Sequence, residues 1–315
     1  MDKKRFFFIS GLIALTLLFS CKKENTNKLQ VDISTLIPKR YLLFDADEAF
    51  NRGLAPAPDN TAVYYANPDG SNITRITPND PGYYCYRPRW SPNGQYILYI
   101  RNDFIDTDRK LCMIDINGGN FKTITQGDEV DYATFSPDGL NIAYAKSLVH
   151  SIPFKYDIYI CRSDGTNENR VTTFADFNGA VSNIFCGSDN KIYFEASSDR
   201  HPAGVYFVNP DGSNLKYIMN DVNLMGVSPD AKQLLYDLGD GLYTCDVDGT
   251  NIKTIINYNK SNINYLINAS WSADGQQIFL SNADYPLHLG IYSVNTSGSG
   301  LKEVLSGYYE FPTVH

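Results

Sequence analysis

Four histidines are the side chains of this 315-residue sequence best suited to ligate zinc or to transfer protons near neutral pH. His150, His201, His288 and His315 fall in separate segments, with no His-Glu-x-x-His motif and no paired spacing. This pattern predicts no histidine-rich zinc site. The alternative is that the first three, which occupy equivalent loops, converge on one metal ion.

Carboxylates and nucleophiles are equally scattered. The pairs Asp45/Asp47 and Asp106/Asp108 begin like calcium loops but lack the Asp or Asn at the fifth position and the Gly at the sixth that such a loop needs. We therefore expect solvated loop carboxylates there. Because no Gly-x-Ser-x-Gly motif is present, an α/β-hydrolase nucleophile is not predicted. No catalytic residue, metal or cofactor is expected.

The sequence has six cysteines and no Cys-x-x-Cys motif. Cys161 and Cys245 occupy strand positions that hold small aliphatic residues elsewhere, so they are predicted to be core residues. Cys112 takes a tyrosine position, Cys186 a turn position, and Cys85 is expected in a loop. A structural role is favoured over a redox role.

The sixth cysteine, Cys21, follows a segment typical of an export signal. Lys3 to Arg5 precede a mostly apolar run from Phe6 to Phe19, which is short for a membrane span. Leu18 to Cys21 resemble a lipobox, so residues 1–20 are expected to be a lipoprotein signal peptide and residues 21–40 a lipid anchor and tether. The residues after Cys21 resemble those of lipoproteins sorted to the outer membrane. An ordinary secreted protein is the alternative.

A repeated sequence pattern predicts the β-strands that position these side chains. Glycines recur at intervals of 37 to 49 residues, each preceded six positions earlier by a tyrosine or cysteine and followed six positions later by a β-branched residue. An Asn or Gly stands two positions after each glycine, which predicts a second residue with positive φ in each turn. Such a pattern indicates a β-hairpin and has the period of a propeller blade. The repeat glycines are Gly70, Gly118, Gly165, Gly212, Gly249 and Gly298.

A second turn lies between successive hairpins, as in Ser91–Gly94 and Ser136–Gly139. Together the two turns give four short strands per repeat, named A to D from the inside outwards. The order Trp-Ser-Pro-Asp-Gly, then Ile-Tyr, then Asp-Gly resembles the TolB-like, WD40-like (PD40-type) propeller repeat. This resemblance implies an all-β, six-bladed propeller over residues 41–315. Another all-β stack is the alternative.

The two ends of the repeat region predict how the ring closes. Residues 41–44 can form strand B of blade 1, but no strand A precedes them. Phe311 to Val314 follow the last strand D and have no blade of their own. We therefore expect the C-terminal strand to supply the missing innermost strand.

Aromatic residues are distributed unequally between the two predicted faces. The A–B and C–D turns of one face, the hairpin face, contain none, whereas the B–C and D–A connections of the other, the loop face, contain many. Asp80, Asp128, Glu129, Asp131 and Glu310 make this loop face acidic, which favours a neutral or cationic partner. The predicted ligand-binding residues on the loop face are Tyr83, Tyr84, Tyr86, Asp131, Tyr156, Phe177, Tyr258, Tyr265, Tyr308, Tyr309 and Glu310.

The sequence thus favours a non-catalytic envelope lipoprotein whose loop face binds a protein segment or a glycan. Its contact with the membrane is expected through the lipid anchor only. The alternatives are a lyase- or lactonase-type enzyme with its site in the central funnel, and a structural spacer. With 27 basic and 35 acidic side chains and a pI near 5.0, nucleic-acid binding is excluded. The oligomeric state is not predicted.

Overall fold

The computed structural model describes residues 41–47, 61–80, 82–103, 109–125, 129–147, 155–284, 288–307 and 309–314, with only the backbone at residues 103, 284, 288, 289 and 314. The predictions for the signal peptide, for the tether with Cys21 and for Tyr308 lie outside these residues. So do those for His150, His315, Asp106, Asp108 and Asp128.

The described chain forms six four-stranded antiparallel sheets and two short 3-10 helices, Ala175–Phe177 and Tyr258–Lys260. In chain order the strands are β1 (Leu42–Asp47), β2 (Thr61–Ala66), β3 (Thr74–Arg75), β4 (Tyr83–Trp90), β5 (Tyr96–Asp103), β6 (Arg109–Asp115), β7 (Lys122–Thr123), β8 (Val130–Phe135), β9 (Asn141–Ser147), β10 (Tyr156–Arg162), β11 (Asn169–Arg170), β12 (Ala180–Cys186), β13 (Ile192–Ser198), β14 (His201–Val208), β15 (Lys216–Met219), β16 (Asn223–Val227), β17 (Gln233–Asp237), β18 (Gly241–Asp246), β19 (Lys253–Asn257), β20 (Leu266–Trp271), β21 (Gln277–Asp284), β22 (His288–Asn295), β23 (Lys302–Ser306) and β24 (Tyr309–Val314). Each sheet is one blade, and the innermost strands β24, β4, β8, β12, β16 and β20 are neighbours around a ring. The predicted six-bladed propeller is confirmed.

The predicted closure is also confirmed. Strand β24 pairs antiparallel with β1, with Leu42 opposite Val314 and Ala46 opposite Tyr309. Blade 1 therefore combines the last described strand of the chain with the first three. Because β24 follows β23 of blade 6 in the chain and pairs with β1 of blade 1, it joins these two blades.

The repeat glycines do more than allow a turn. Gly165 has φ +84°, and a Cβ placed on it would lie 2.8 Å from the carbonyl oxygen of Ile124 in the preceding blade. Gly298 and Ile255 are related in the same way, at 2.7 Å. Each repeat glycine thus meets the β-branched residue of the blade before it, and around the ring Gly70 meets Val304. The repeat glycine and the β-branched residue that follows it by six positions are therefore recurrent features of the sequence for one reason: they form the contacts between neighbouring blades.

The blades differ in how strand D ends. In blades 1 to 3 a buried threonine hydroxyl accepts a hydrogen bond from strand C; for example, Leu111 N donates to Thr125 Oγ1 at 3.2 Å. In blades 4 to 6 the equivalent residues are Met219, Ile256 and Leu305, and strand D is four or five residues long with a register shift within it.

Two sequence expectations about location are wrong. Asp45 and Asp47 are not solvated loop residues, because β1 continues to Asp47 and buries both side chains. Cys85 is not in a loop either, since it lies buried in β4. The predicted core positions of Cys161 and Cys245 are confirmed, and all five cysteines among the described residues are free thiols.

Candidate functional site

Every innermost strand carries a β-bulge. The ladder between strands A and B shifts register at Tyr86/Arg89, Asp131/Ala133, Ser182/Phe185, Leu224/Gly226 and Leu266/Asn268, and also between β24 and β1. Arg87, Tyr132, Asn183 and Phe311 adopt positive φ within these bulges. Because a bulge redirects a side chain, these residues depart from the in–out alternation of a regular strand.

The bulges of blades 1, 2 and 3 meet at Arg87. Its Cζ atom lies 3.8 Å from the ring centroid of Tyr132 and 5.3 Å from that of Phe311. The guanidinium also forms an ion pair with Asp131 and donates to the Tyr132 hydroxyl at 3.0 Å. Two residues further along β4, the Cζ atom of Arg89 lies 5.5 Å from the ring centroid of Phe185 in blade 4. Since β4 and β12 are not neighbours in the ring, this contact spans the axial channel.

A second arginine, Arg109 at the start of β6, links three residues that were predicted to lie on the loop face. It contacts Glu129 at 2.7 Å, Asp131 at 2.9 Å and the Tyr156 hydroxyl at 2.8 Å. The same guanidinium approaches Tyr86, whose pKa is raised to about 12 by burial. Neither Arg87 nor Arg109 is among the residues predicted from the sequence. The position of Arg109 holds an aspartate, Asp240, in blade 5 and uncharged residues in the other blades, so the repeat gave no consistent signal for it.

We define the arginine–tyrosine cluster as Tyr84, Tyr86, Arg87, Arg109, Asp131, Tyr132 and Tyr156. Tyr84 belongs to it because its ring stacks on Tyr86 at a centroid distance of 5.6 Å, and its hydroxyl accepts a hydrogen bond from Asn102. Tyr83 does not belong to it. Successive residues of β4 face opposite sides of the sheet, so Tyr83 lies towards blade 1, where Arg101 covers its ring at 3.6 Å.

The remaining predicted residues are dispersed. Phe177 lies under Arg200 at 3.8 Å, and Tyr258 is buried with its hydroxyl donating to Asp237 at 2.8 Å. Tyr309 packs edge-on against Phe44 at 5.1 Å in β24. Tyr265 stands apart, because 66% of its surface is exposed. Tyr258 and Tyr309 therefore support the fold.

The predicted acidic rim is wrong at the described positions other than Glu310. Asp80 is paired with Arg101 at 3.0 Å, and both Glu129 and Asp131 are paired with Arg109. These arginines neutralise the carboxylates that suggested a cationic partner. Charge alone therefore gives no preference for a cation on this side of the face.

One buried carboxylate stands out beneath the cluster. Asp45 is only 1% exposed; its Oδ2 accepts a hydrogen bond from Arg87 N at 3.2 Å, and its Oδ1 has no hydrogen-bond partner. Burial, and then the charge of Glu310 opposite it on β24, raise the pKa of Asp45 to about 8. Burial therefore favours the protonated form of Asp45.

The described part of the chain contains no group of three or more His, Cys, Asp or Glu side chains arranged for a metal ion. The His201 ring packs on Phe174 at 4.6 Å, with Nδ1 at 3.0 Å from Ser198 Oγ. Convergence of His201 with His150 and His288 involves side chains outside the described residues. No helix in the described ranges is long and apolar enough to cross a membrane.

The fold is that of the TolB-type six-bladed β-propellers. TolB from Acinetobacter baumannii superposes with a TM-score of 0.64 at 17% identity, over 90% of this chain and 69% of that one. A chain of a nidogen–laminin complex gives 0.61 at 11% identity, over 86% and 97%. An oligogalacturonate lyase in complex with manganese gives 0.54 at 13% identity, over 74% and 71%. No protein-family model matches the sequence, and no curated protein is significantly similar to it.

Proposed function

We propose that this propeller is a non-catalytic envelope protein whose loop face binds a segment of another protein, with a glycan as the alternative ligand. The proposal depends on the arginine–tyrosine cluster, where Arg87 joins side chains of three blades. Arginine and tyrosine dominate the binding energy of protein interfaces. The resemblance to TolB and to the nidogen–laminin propeller supports this role through the fold alone.

Partner capture with immobilised full-length protein tests this proposal. Tyr84→Ala removes a member of the cluster, and Tyr265→Ala removes the exposed tyrosine of the loop face. Both are expected to reduce recovery of a captured partner at least tenfold, as for an interface hot spot. Tyr217→Ala is the matched control, because Tyr217 is a 44% exposed tyrosine on the outer strand β15. Loss of the partner only in Tyr217→Ala would contradict the face assignment.

The proposal includes attachment to the outer membrane through a lipid on Cys21, facing either the periplasm or the cell surface. It is supported by the lipobox-like residues 18–21 at the end of the apolar run. Several acyl chains on one residue suffice for stable anchoring. Cys21→Ser is therefore expected to move the protein from the membrane to the soluble fraction. Unchanged membrane retention would refute this part of the proposal.

The alternative is an enzyme with its site in the axial channel. One observation favours it: a buried aspartate with a raised pKa, Asp45, lies beside Arg87, and such groups cluster at active sites. We favour binding because Asp45 is 1% exposed and the carboxylate of the cluster, Asp131, is paired with Arg87 and Arg109. Cleavage of oligogalacturonate by the wild type, lost in Asp45→Asn, would overturn the non-catalytic proposal.

A further inference from the structure

A cleft of about 180 Å³ lies between blades 1 and 2, on the side of β4 away from the arginine–tyrosine cluster. Blade 1 contributes Arg75 and Asp80 to its lining, and blade 2 contributes Tyr83, Arg101 and Phe121. Two arginines and one carboxylate therefore line a space that also has aromatic walls. None of these residues belongs to the cluster described above.

Arg101, one of the residues lining this cleft, lies against two aromatic rings. Its Cζ atom lies 3.6 Å from the Tyr83 centroid and 5.6 Å from that of Phe121. Stacking on Tyr83 fixes the plane of the guanidinium, which prepares its edge to bind a carboxylate. Phe121 is 45% exposed, so it offers an apolar surface beside that edge.

The carboxylate of Asp80, which is paired with Arg101, can be displaced by the carboxylate of a ligand. Among the residues that the structure describes, Asp80 makes one polar side-chain contact, from its Oδ2 to Arg101 Nη2 at 3.0 Å, and its side chain is 57% exposed. It follows strand D of the neighbouring blade and lies outside any strand. An exposed ion pair of this kind contributes little to stability, so an incoming carboxylate can replace it at small cost.

We propose that this cleft binds a carboxylate carried on an apolar body, as at the C-terminal residue of a peptide, with the carboxylate on Arg101 and the apolar group on Phe121. Asp80 then competes with the ligand for Arg101. An apolar body is favoured over a sugar acid because Phe121 is open to solvent, whereas the face of Tyr83 is covered by Arg101. This inference rests on the proposed binding function and names the chemistry of a cleft between blades 1 and 2.

Binding of N-acetyl-L-phenylalanine to the full-length protein, measured by calorimetry, tests the inference. The carboxylate is expected to bind at least about tenfold more tightly than the corresponding amide, because a charged hydrogen bond to Arg101 is lost in the amide. Arg101→Gln should weaken binding by a similar factor. Phe121→Ser, at an exposed position, should weaken it several-fold without lowering the melting temperature.

Asp80→Asn makes the test specific. It removes the carboxylate that competes with the ligand for Arg101, so binding of N-acetyl-L-phenylalanine should become about threefold tighter or more. Asp176→Asn is the matched control: Asp176 is an exposed partner of Arg170 outside the cleft, and its loss should change nothing. Equal binding of acid and amide would overturn the inference, as would unchanged or weaker binding to Asp80→Asn. Galacturonic acid binding as tightly as the probe would overturn the apolar ligand class. Each of these outcomes leaves the partner-capture test of Tyr84 and Tyr265 unaffected.

Discussion

Replacing Gly165 with alanine should destabilise the protein more than the same change at Gly239. Both glycines have φ +84°, so both variants pay the same backbone strain. The surroundings differ, because a Cβ on Gly165 would lie 2.8 Å from the Ile124 carbonyl oxygen, whereas nothing lies within 4 Å of a Cβ on Gly239. The difference between the two variants therefore isolates the contact between blades.

The size of the effect follows from these two contributions. A left-handed conformation costs an L-residue about 1–2 kcal/mol, and this term is common to both variants. Forcing an extra methyl group into a packed contact costs about 1–3 kcal/mol, and this term applies to Gly165 alone. We expect Gly165→Ala to lose about 2–5 kcal/mol of unfolding free energy and Gly239→Ala about 1–2 kcal/mol.

Equilibrium unfolding in urea, under reducing conditions because of the free cysteines, measures both losses. Thermal melts should show the same order, with a shift of about 2–4 °C for each kcal/mol. Equal losses in the two variants would show that the glycines are needed only for their turns. The view of the repeat as a contact between blades would then be wrong.

Three further outcomes are expected. Deletion of residues 311–315 removes most of β24 and should lower the melting temperature of the whole domain as one transition, whereas an unchanged cooperative melt would refute its closing role. Thr125→Val leaves the buried Leu111 N–H without its acceptor and should cost about 1–3 kcal/mol in urea unfolding. Because the pKa of Asp45 is near 8 when folded and its ordinary value is 3.8, the unfolded chain loses this proton first, so this group's contribution to stability should fall as pH rises from about 4 to about 8. Asp45→Asn should flatten that slope in a pH series of unfolding experiments.

The fold was predictable because its signals are local. Positive φ at Asn72 and at its counterparts in the other turns is a property of the turn itself, so residue type reveals it. The contact of Gly165 with Ile124 was not predictable in this way, since it joins residues of different blades. The length of β1 was also missed, because Asp45 and Asp47 are poor strand formers whose burial is imposed by the neighbouring strands.

The candidate site was only partly predictable. Tyr84, Asp131 and Tyr156 were predicted from the concentration of aromatic and acidic residues on the loop face, and they do come together. The loop assignment of Tyr83, Tyr84 and Tyr86 is wrong, because β4 begins at Tyr83 and places alternate residues on opposite sides of the sheet. The arginines were missed because a sequence shows a charge but not the carboxylates that neutralise it.

The pairing of β24 with β1 also sets the order in which the molecule can be completed. Strand β1 is among the first described elements to be synthesised, yet its inner edge has no partner until β24 is made, on the order of tens of seconds of translation later. Pairing of such distant segments is slow, and an open strand edge is prone to join a wrong partner in the meantime. A ring closed by its last strand therefore depends on protection of one edge during biogenesis, either by a chaperone or by rapid folding of the remaining blades.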